Sequence, residues 1–321
     1  MQNNAMNNTF QPKRPTIAKP FLKWAGGKAQ ILNNIKMMYP ALLGKEIVKY
    51  AEPFVGAGAV LFDIVSRFDI SDVYISDTNR ELIQAYITIR DDRDDLIYLL
   101  KSLEDEYLRA GETDRKRIYY ANRRRFNALK IKLSKKQSMI LSKPGEETTE
   151  LAALFIFLNK TCFNGLYRVN AKGEFNVPQG RYKNPRICDE SNLRIVSGKL
   201  QNVRIVCGDY KKSESFIDEK TLAYFDPPYR PLTSSSYFTA YTEDGFGDIE
   251  QIELARFIDN ISARGAYVIA SNSDPSSVNE GDSFIHELYS NHKIFRINAS
   301  RAINSNKDKR GKINELLILS Y

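Results

Sequence analysis

Glu46-Ile47-Val48-Lys49-Tyr50-Ala51-Glu52-Pro53-Phe54-Val55-Gly56-Ala57-Gly58 reads as a strand that runs into a glycine-rich turn. Val60, Leu61, Ile64, Val65 and Phe68 then recur at helical spacing through 59–68. Residues 72–76 form a second short strand that ends on Asp77. Strand, glycine turn, helix, strand and acid, in that order, make half of a Rossmann-like βαβ unit. Glycine at positions 56 and 58 lets a ligand approach the backbone at a helix N-terminus that favours anions. Asp77 lies 19 residues beyond Gly58, the spacing at which a carboxylate binds a ribose diol in nucleotide-binding units. The turn has two glycines rather than three, which argues for a smaller nucleoside than a pyrophosphate dinucleotide.

A second strand ends in a chemically loaded turn. Leu222-Ala223-Tyr224-Phe225 is an apolar run that stops at Asp226-Pro227-Pro228-Tyr229. The prolines fix φ and remove donors, and the residue before a proline is pushed to an extended shape. Asp226 therefore sits at a stiff strand tip, with the Pro227 carbonyl and the Tyr229 ring close behind. Two acceptors and an aromatic plate suit a flat ring that bears an amine.

Working outward, residues 31–39 read as a helix closed by Pro40, and 79–160 as mostly helical, broken near Gly111 and Lys143-Pro144-Gly145. Residues 167–170 and 174–177 flank Ala171-Lys172-Gly173 as the arms of a hairpin. The α/β rhythm returns with a strand at 203–207, ending in Gly208-Asp209. A helix at 248–264, a strand at 266–271 and a terminal strand at 315–319 complete the pattern. The expectation is a split α/β domain with a helical, basic insertion: an arm at 1–18, a catalytic part at 19–82 and 189–321, and a recognition part at 83–188. Phe21-Leu22-Lys23-Trp24-Ala25-Gly26-Gly27-Lys28 is not a P-loop, because Leu22 and Ala29 replace its first glycine and its hydroxyl residue. Trp24, the one tryptophan, is placed to stack on a ring while Lys28 meets a carboxylate.

Composition narrows the class. The 321 residues are 42% hydrophobic and 27% charged, and no apolar stretch approaches the length of a membrane span. Three scattered cysteines and two histidines support neither a disulfide framework, a zinc site nor a His-based triad, and fit a cytoplasmic setting. The net charge of +8 suggests a polyanionic partner. Residues 115–136 carry ten Lys or Arg, Arg123 and Arg124 among them, and no acid, with Tyr119, Tyr120 and Phe126 interleaved. Such a stretch is expected to meet phosphates.

Taken together, the motifs resemble the Dam-type (D12 class, alpha group) DNA adenine-N6 methyltransferases. The resemblance rests on Lys23–Lys28, Glu52–Gly58, Asp77, Asn164–Pro178, Asp226–Tyr229 and Phe238–Tyr241, in that order, and spans Pro20 to the C-terminus. It implies a Rossmann-like S-adenosylmethionine-dependent methyltransferase sheet with a helical DNA-recognition insertion. It implies S-adenosylmethionine contacts at Trp24, Lys28, Gly56, Gly58, Asp77, Asp209 and Asp226. Double-stranded DNA would be read at Asn164, Leu166, Arg168 and Pro178, within GATC, with Arg168 on a guanine. Phe163 departs from a relative's tyrosine and keeps the aromatic plate without the hydroxyl. Asp226, Pro227 and Tyr229 would act on an extruded adenine, two acceptors localising the N6 lone pair. No metal, membrane or obligate oligomer is required, and a monomer or weak dimer is expected. Methylation of cytosine-N4 or RNA adenine, or a non-catalytic DNA-binding protein on the same fold, are the alternatives.

Overall fold

Strands β1 (Lys49–Glu52), β2 (Asp72–Asp77), β3 (Val203–Cys207), β4 (Thr221–Phe225), β5 (Tyr267–Ser273), β6 (Lys293–Ser300) and β7 (Lys312–Leu319) form one sheet in the order β3-β2-β1-β4-β5-β7-β6. The structure is a computed structural model describing residues 16–24, 26–135, 144–230, 246–277, 279–300 and 312–321. The expected N-terminal arm lies almost wholly outside these residues, and the motif at 238–241 wholly so.

Strands β1 to β5 pair in parallel. Strand β7 runs antiparallel to both β5 and β6. The chain leaves β1 toward β2 and β3 on one side, then returns to β4 and β5 on the other. The crevice beyond the C-terminal ends of β1 and β4 is therefore the point where strand order reverses, the place where open α/β sheets take ligands.

Strand β4 shows why the apolar runs were legible. All five of its residues are buried, and they alternate between two cores. Leu222 and Tyr224 join one, Ala223 and Phe225 the other. A parallel strand covered on both faces needs apolar residues throughout.

Helices α1 (Leu32–Met37), α2 (Ala59–Arg67), α3 (Arg80–Asp91), α4 (Arg93–Arg109), α5 (Glu112–Ser134), α6 (Glu146–Thr161), α7 (Glu190–Leu200), α8 (Asp248–Ala263) and α9 (Phe284–Leu288) surround the sheet. The long helical stretch is thus four helices, with a break at Asp92 that periodicity alone missed. Helix α3 starts at Asn79, whose side chain accepts the Leu82 N–H at 2.9 Å. It packs on β2 and β3 as well as on α6, so the boundary expected at residue 82 falls inside it. Helix α6 is buried nearly all round, which makes it the centre of the α3–α6 group.

Three expectations are corrected in detail. Strand β1 begins at Lys49, because the Ile47 N–H turns back to the Leu42 carbonyl at 3.2 Å. Strand β6 was not foreseen: it is an edge strand with Lys293, Phe295 and Arg296 exposed and, within 293–298, only Ile297 buried. The hairpin at 167–177 is reduced to a single bridge, Val169 to Phe175.

Candidate active site

Asp226 follows the last residue of β4 and faces β5. Its Oδ1 accepts hydrogen bonds from Ser271 Oγ at 3.0 Å and from Lys28 Nζ at 2.9 Å. Lys28 is 4% exposed and also donates to the Gly26 carbonyl at 2.8 Å. Its ammonium lies 4.7 Å from the centre of the Tyr229 ring and 3.8 Å from Glu315 Oε2 on β7. The Tyr229 hydroxyl donates to that same Glu315 oxygen at 2.9 Å.

The rest of the turn is pinned from α8. Gln251 Nε2 donates to the Pro228 carbonyl at 3.1 Å. Arg230 donates to both Asp248 oxygens, at 2.6 and 3.1 Å, and to Asp282 at 2.6 Å. Two acceptors stay without a partner among the described residues: Asp226 Oδ2 and the Pro227 carbonyl. Fixed surroundings with free acceptors are the preorganisation that amine chemistry needs.

The electrostatics follow from burial. Burial pushes the Asp226 carboxyl up, while the Lys28 ammonium and the Ser271 hydroxyl pull the other way. Glu52, at the end of β1, is 2% exposed, and burial pushes its carboxyl up to about 8. The Tyr50 hydroxyl, 2.6 Å away, opposes that rise, and the Asp226 charge adds to it. Tyr229 is raised by burial and by Asp226 and Glu315, so its hydroxyl stays a donor.

The glycine turn opens on the same crevice. Gly56 and Gly58 have φ of 48° and 70°, the left-handed region that other residues avoid. Here the close approach is made by the protein itself. A Cβ on Gly56 would sit 2.9 Å from Trp24 Cδ1, and one on Gly58 would sit 2.6 Å from the Tyr86 hydroxyl. The glycines therefore shape the cavity by letting Trp24 and Tyr86 in. Asp77 accepts the Gly56 N–H at 3.1 Å and the Asn79 N–H at 2.9 Å, and burial raises its carboxyl. Asp209 is exposed at the end of β3, beside a stack of Phe54 on Tyr210 with centroids 5.6 Å apart.

One cavity of about 1410 Å³ unites these groups: Trp24, Lys28, Gly56, Gly58, Asp77, Asp209, Asp226, Pro227 and Tyr229 all line it. Leu166 also reaches it, whereas Asn164, Arg168, Pro178, Arg123 and Arg124 stand outside. Glu52, Glu315, Glu81, Lys130 and Tyr167 line it as well; Glu52 was read only as part of the motif at 52–58 and Lys130 only as part of the basic stretch, and none was expected in the cavity. Aspartates at both ends, a glycine turn and a lone indole fit a cationic nucleoside such as S-adenosylmethionine. Among the described residues no group of His, Cys, Asp or Glu is placed to hold a metal, and no helix is long and apolar enough to cross a membrane.

The outlying residues form a separate surface. Asn164 has φ 54° and Gly165 φ 64°, and a Cβ at Gly165 would run into the Lys23 side chain. This tight turn presents Phe163, 47% exposed, and Asn164 to solvent. Arg168 is exposed and donates through Nε to Asn176 Oδ1 at 2.8 Å. Glu174 instead takes the Asn170 amide at 2.9 Å. Pro178 is exposed, and its carbonyl accepts the Phe163 N–H at 2.9 Å. Arg123 is committed in part to the carbonyls of Asn176 and Val177, at 3.4 and 3.2 Å, while Arg124 is exposed and has no partner among the described residues.

Comparison with known proteins agrees with this geometry. A family model described as D12 class N6 adenine-specific DNA methyltransferase matches residues 24–303. A protein named Type II methyltransferase M.MjaIII, from Methanocaldococcus jannaschii, is 47% identical over 305 residues, covering 94% of this chain and 99% of that one. The DNA adenine methylase of Escherichia coli strain K12 is 34% identical over 307 residues, covering 94% and 95%. The match takes in the glycine turn, the turn at Asn164 and the Asp226 tip that together build and flank the cavity, and the chain belongs to the D12 class N6 adenine-specific DNA methyltransferases.

Proposed function

We propose that the protein transfers a methyl group from S-adenosylmethionine to N6 of an adenine extruded from double-stranded DNA, within GATC. The observation that carries this reading is the pair of acceptors, Asp226 Oδ2 and the Pro227 carbonyl, that stand without a partner among the described residues beside the Tyr229 ring. Trp24, Lys28, Gly56, Gly58, Asp77, Asp209 and Asp226 would hold the cofactor, which supplies an electrophilic methyl on a sulfonium. The N6 amine is a poor nucleophile because its lone pair is delocalised into the ring. Asp226 and Pro227 each accept one N6 hydrogen, which localises the pair on nitrogen as charge develops. Tyr229 stacks on the base, whose N6 is out of reach inside the duplex. Glu315 holds the Tyr229 hydroxyl and so fixes the ring's angle.

In this reading 83–188 is the recognition part, flanked by catalytic segments at 19–82 and 189–321. Asn164, Leu166, Arg168 and Pro178 read the target, and Arg123 and Arg124 meet phosphates. The test is methylation of plasmid DNA followed by single-molecule mapping of modified adenines, with the product digested to nucleosides and weighed. N6-methyladenine at GATC is expected. N4-methylcytosine, activity on RNA alone, or cofactor binding without transfer to any duplex would each overturn the reading.

A further inference from the structure

Tyr167 stands where the two halves of the site meet. Its ring stacks on Trp24 at 6.1 Å between centroids, tilted by 21°, and packs edge-on against Phe155 at 5.6 Å. Its hydroxyl donates to Glu81 Oε2 at 2.8 Å and accepts from Lys130 Nζ at 2.9 Å. Lys130 closes the triangle on Glu81 Oε1 at 3.3 Å. Glu81 lies in the first turn of α3, four residues after Asp77. Lys130 lies on the basic helix α5, and the residue after Tyr167 is Arg168. Burial and the neighbouring Glu81 raise the Tyr167 hydroxyl, so it remains a donor across the working pH range.

The rest of the recognition segment is held from helices α5 and α6. Helix α5 grips its second arm: Asn127 exchanges hydrogen bonds with the backbone of Phe175 at 2.9 and 3.1 Å, and the Tyr119 hydroxyl donates to the Val177 carbonyl at 2.8 Å. Asn159 ties the turn before the first arm to the cofactor-facing segment, donating to the carbonyls of Lys23 and Gly165 at 2.7 and 3.0 Å. On the first arm itself, Tyr167 touches Trp24, α3 and α5 at once. A shift of Trp24 or of the α3 N-terminus is thereby felt one residue from Arg168.

We propose that Tyr167 is a positioning residue that couples occupancy of the cofactor cavity to the setting of the recognition segment. It holds Arg168 and the Asn164 turn in their reading position when Trp24 and Asp77 are engaged. The inference rests on the methyltransferase reading above and adds a route between its two sites. Coupling of this kind appears as a change in one ligand's affinity caused by the other.

The test uses the full chain, S-adenosylhomocysteine as an unreactive cofactor probe and a short duplex holding one GATC site. Duplex affinity is measured with and without saturating S-adenosylhomocysteine, for wild type and for Tyr167→Phe, which keeps the ring and loses the hydroxyl bracket. In wild type the probe is expected to tighten the duplex by about fivefold or more, and in Tyr167→Phe by less than about twofold. Because the comparison is a ratio at saturating probe, a loss of cofactor affinity alone leaves it unmoved. Glu81→Gln keeps an acceptor for the hydroxyl and is expected to retain most of the ratio. Trp24, the only tryptophan, gives a second readout. Duplex added without the probe should change its emission in wild type and change it less in Tyr167→Phe. A purely structural role would lower the melting temperature and leave the ratio at its wild-type value, which overturns the proposal, as does the absence of coupling in wild type. If wild type methylates GATC and coupling survives in Tyr167→Phe, only this proposal fails. If wild type neither binds the probe nor methylates DNA, the methyltransferase reading fails with it.

Discussion

Lys28 Nζ lies 2.9 Å from Asp226 Oδ1 with the lysine side chain 4% exposed, so the aspartate at the tip of β4 shares its charge with a buried ammonium. Burial raises the Asp226 carboxyl and Lys28 holds it down. Lys28→Met removes the opposing cation and raises that carboxyl further. An acid whose folded value is raised contributes stability at low pH that is lost as pH rises through the folded value. The deficit of Lys28→Met is therefore expected to grow with pH, reaching about 3 kcal/mol or more at pH 8.5, where the carboxylate is left unpaired. Urea denaturation at pH 5.5 and 8.5 checks this. An equal deficit at both would mean that Lys28 acts by packing alone.

Glu52 carries a pH dependence of its own. Its carboxyl is pushed up to about 8, chiefly by burial, well above the usual carboxylate range. The native state then holds a proton that the unfolded chain releases, so stability present below the ordinary carboxylate value is lost as pH rises through about 8. Glu52→Gln keeps an acceptor for the Tyr50 hydroxyl and does not titrate. Relative to the variant, wild type should lose roughly a few kcal/mol between pH 5 and 8.5. Parallel melting curves across that range would show the carboxyl to be ordinary.

Asp226→Ala removes one of the two acceptors that stand free among the described residues, and a partner of Lys28 with it. Loss of a preorganised transition-state group costs on the order of 10²–10³ in rate. Single-turnover methylation of a GATC duplex is expected to slow by at least that factor, with circular dichroism confirming the fold. A variant that keeps more than about a tenth of wild-type turnover would move the chemistry away from Asp226.

The parts of this site that were legible in the sequence share a physical cause. Strand tips such as Phe225-Asp226 and turns such as Gly56-Ala57-Gly58 combine apolar runs with proline or glycine, and both signals are local. Glu315 gave no such signal. It stands just before the apolar run Leu316–Leu319 of β7, and only its register opposite Ser273 on β5 carries it to Tyr229 and Lys28. Ser271 reaches Asp226 in the same way, from the neighbouring strand. The Trp24–Tyr167 stack joins residues 143 positions apart, a pairing set by packing and not by spacing. Within 293–298 strand β6 buries only Ile297, so its sequence did not separate it from a loop.

Arg168 and Arg124 offer the sharpest test of target reading, because both are exposed and their surroundings differ. Arg168 is braced by Asn176 through Nε, and the far end of its guanidinium fork, without a partner among the described residues, can meet the two acceptors on a guanine edge. A salt bridge to Glu174 would have made it a mere strut, and Glu174 is taken by Asn170 instead. Arg124 projects from the basic helix α5 with no partner among the described residues, as suits a phosphate contact. Arg168→Ala is therefore expected to lose about 1–3 kcal/mol on GATC and to relax discrimination at one guanine. Arg124→Ala should weaken all duplexes alike and reduce the salt dependence by about one phosphate's worth, because backbone contacts carry no base identity. Methylation rates on GATC and on its single-base variants, measured at two salt concentrations, separate the two roles. If Arg168→Ala loses activity equally on every duplex and keeps its site preference, Arg168 is itself a backbone contact and the guanine is read elsewhere.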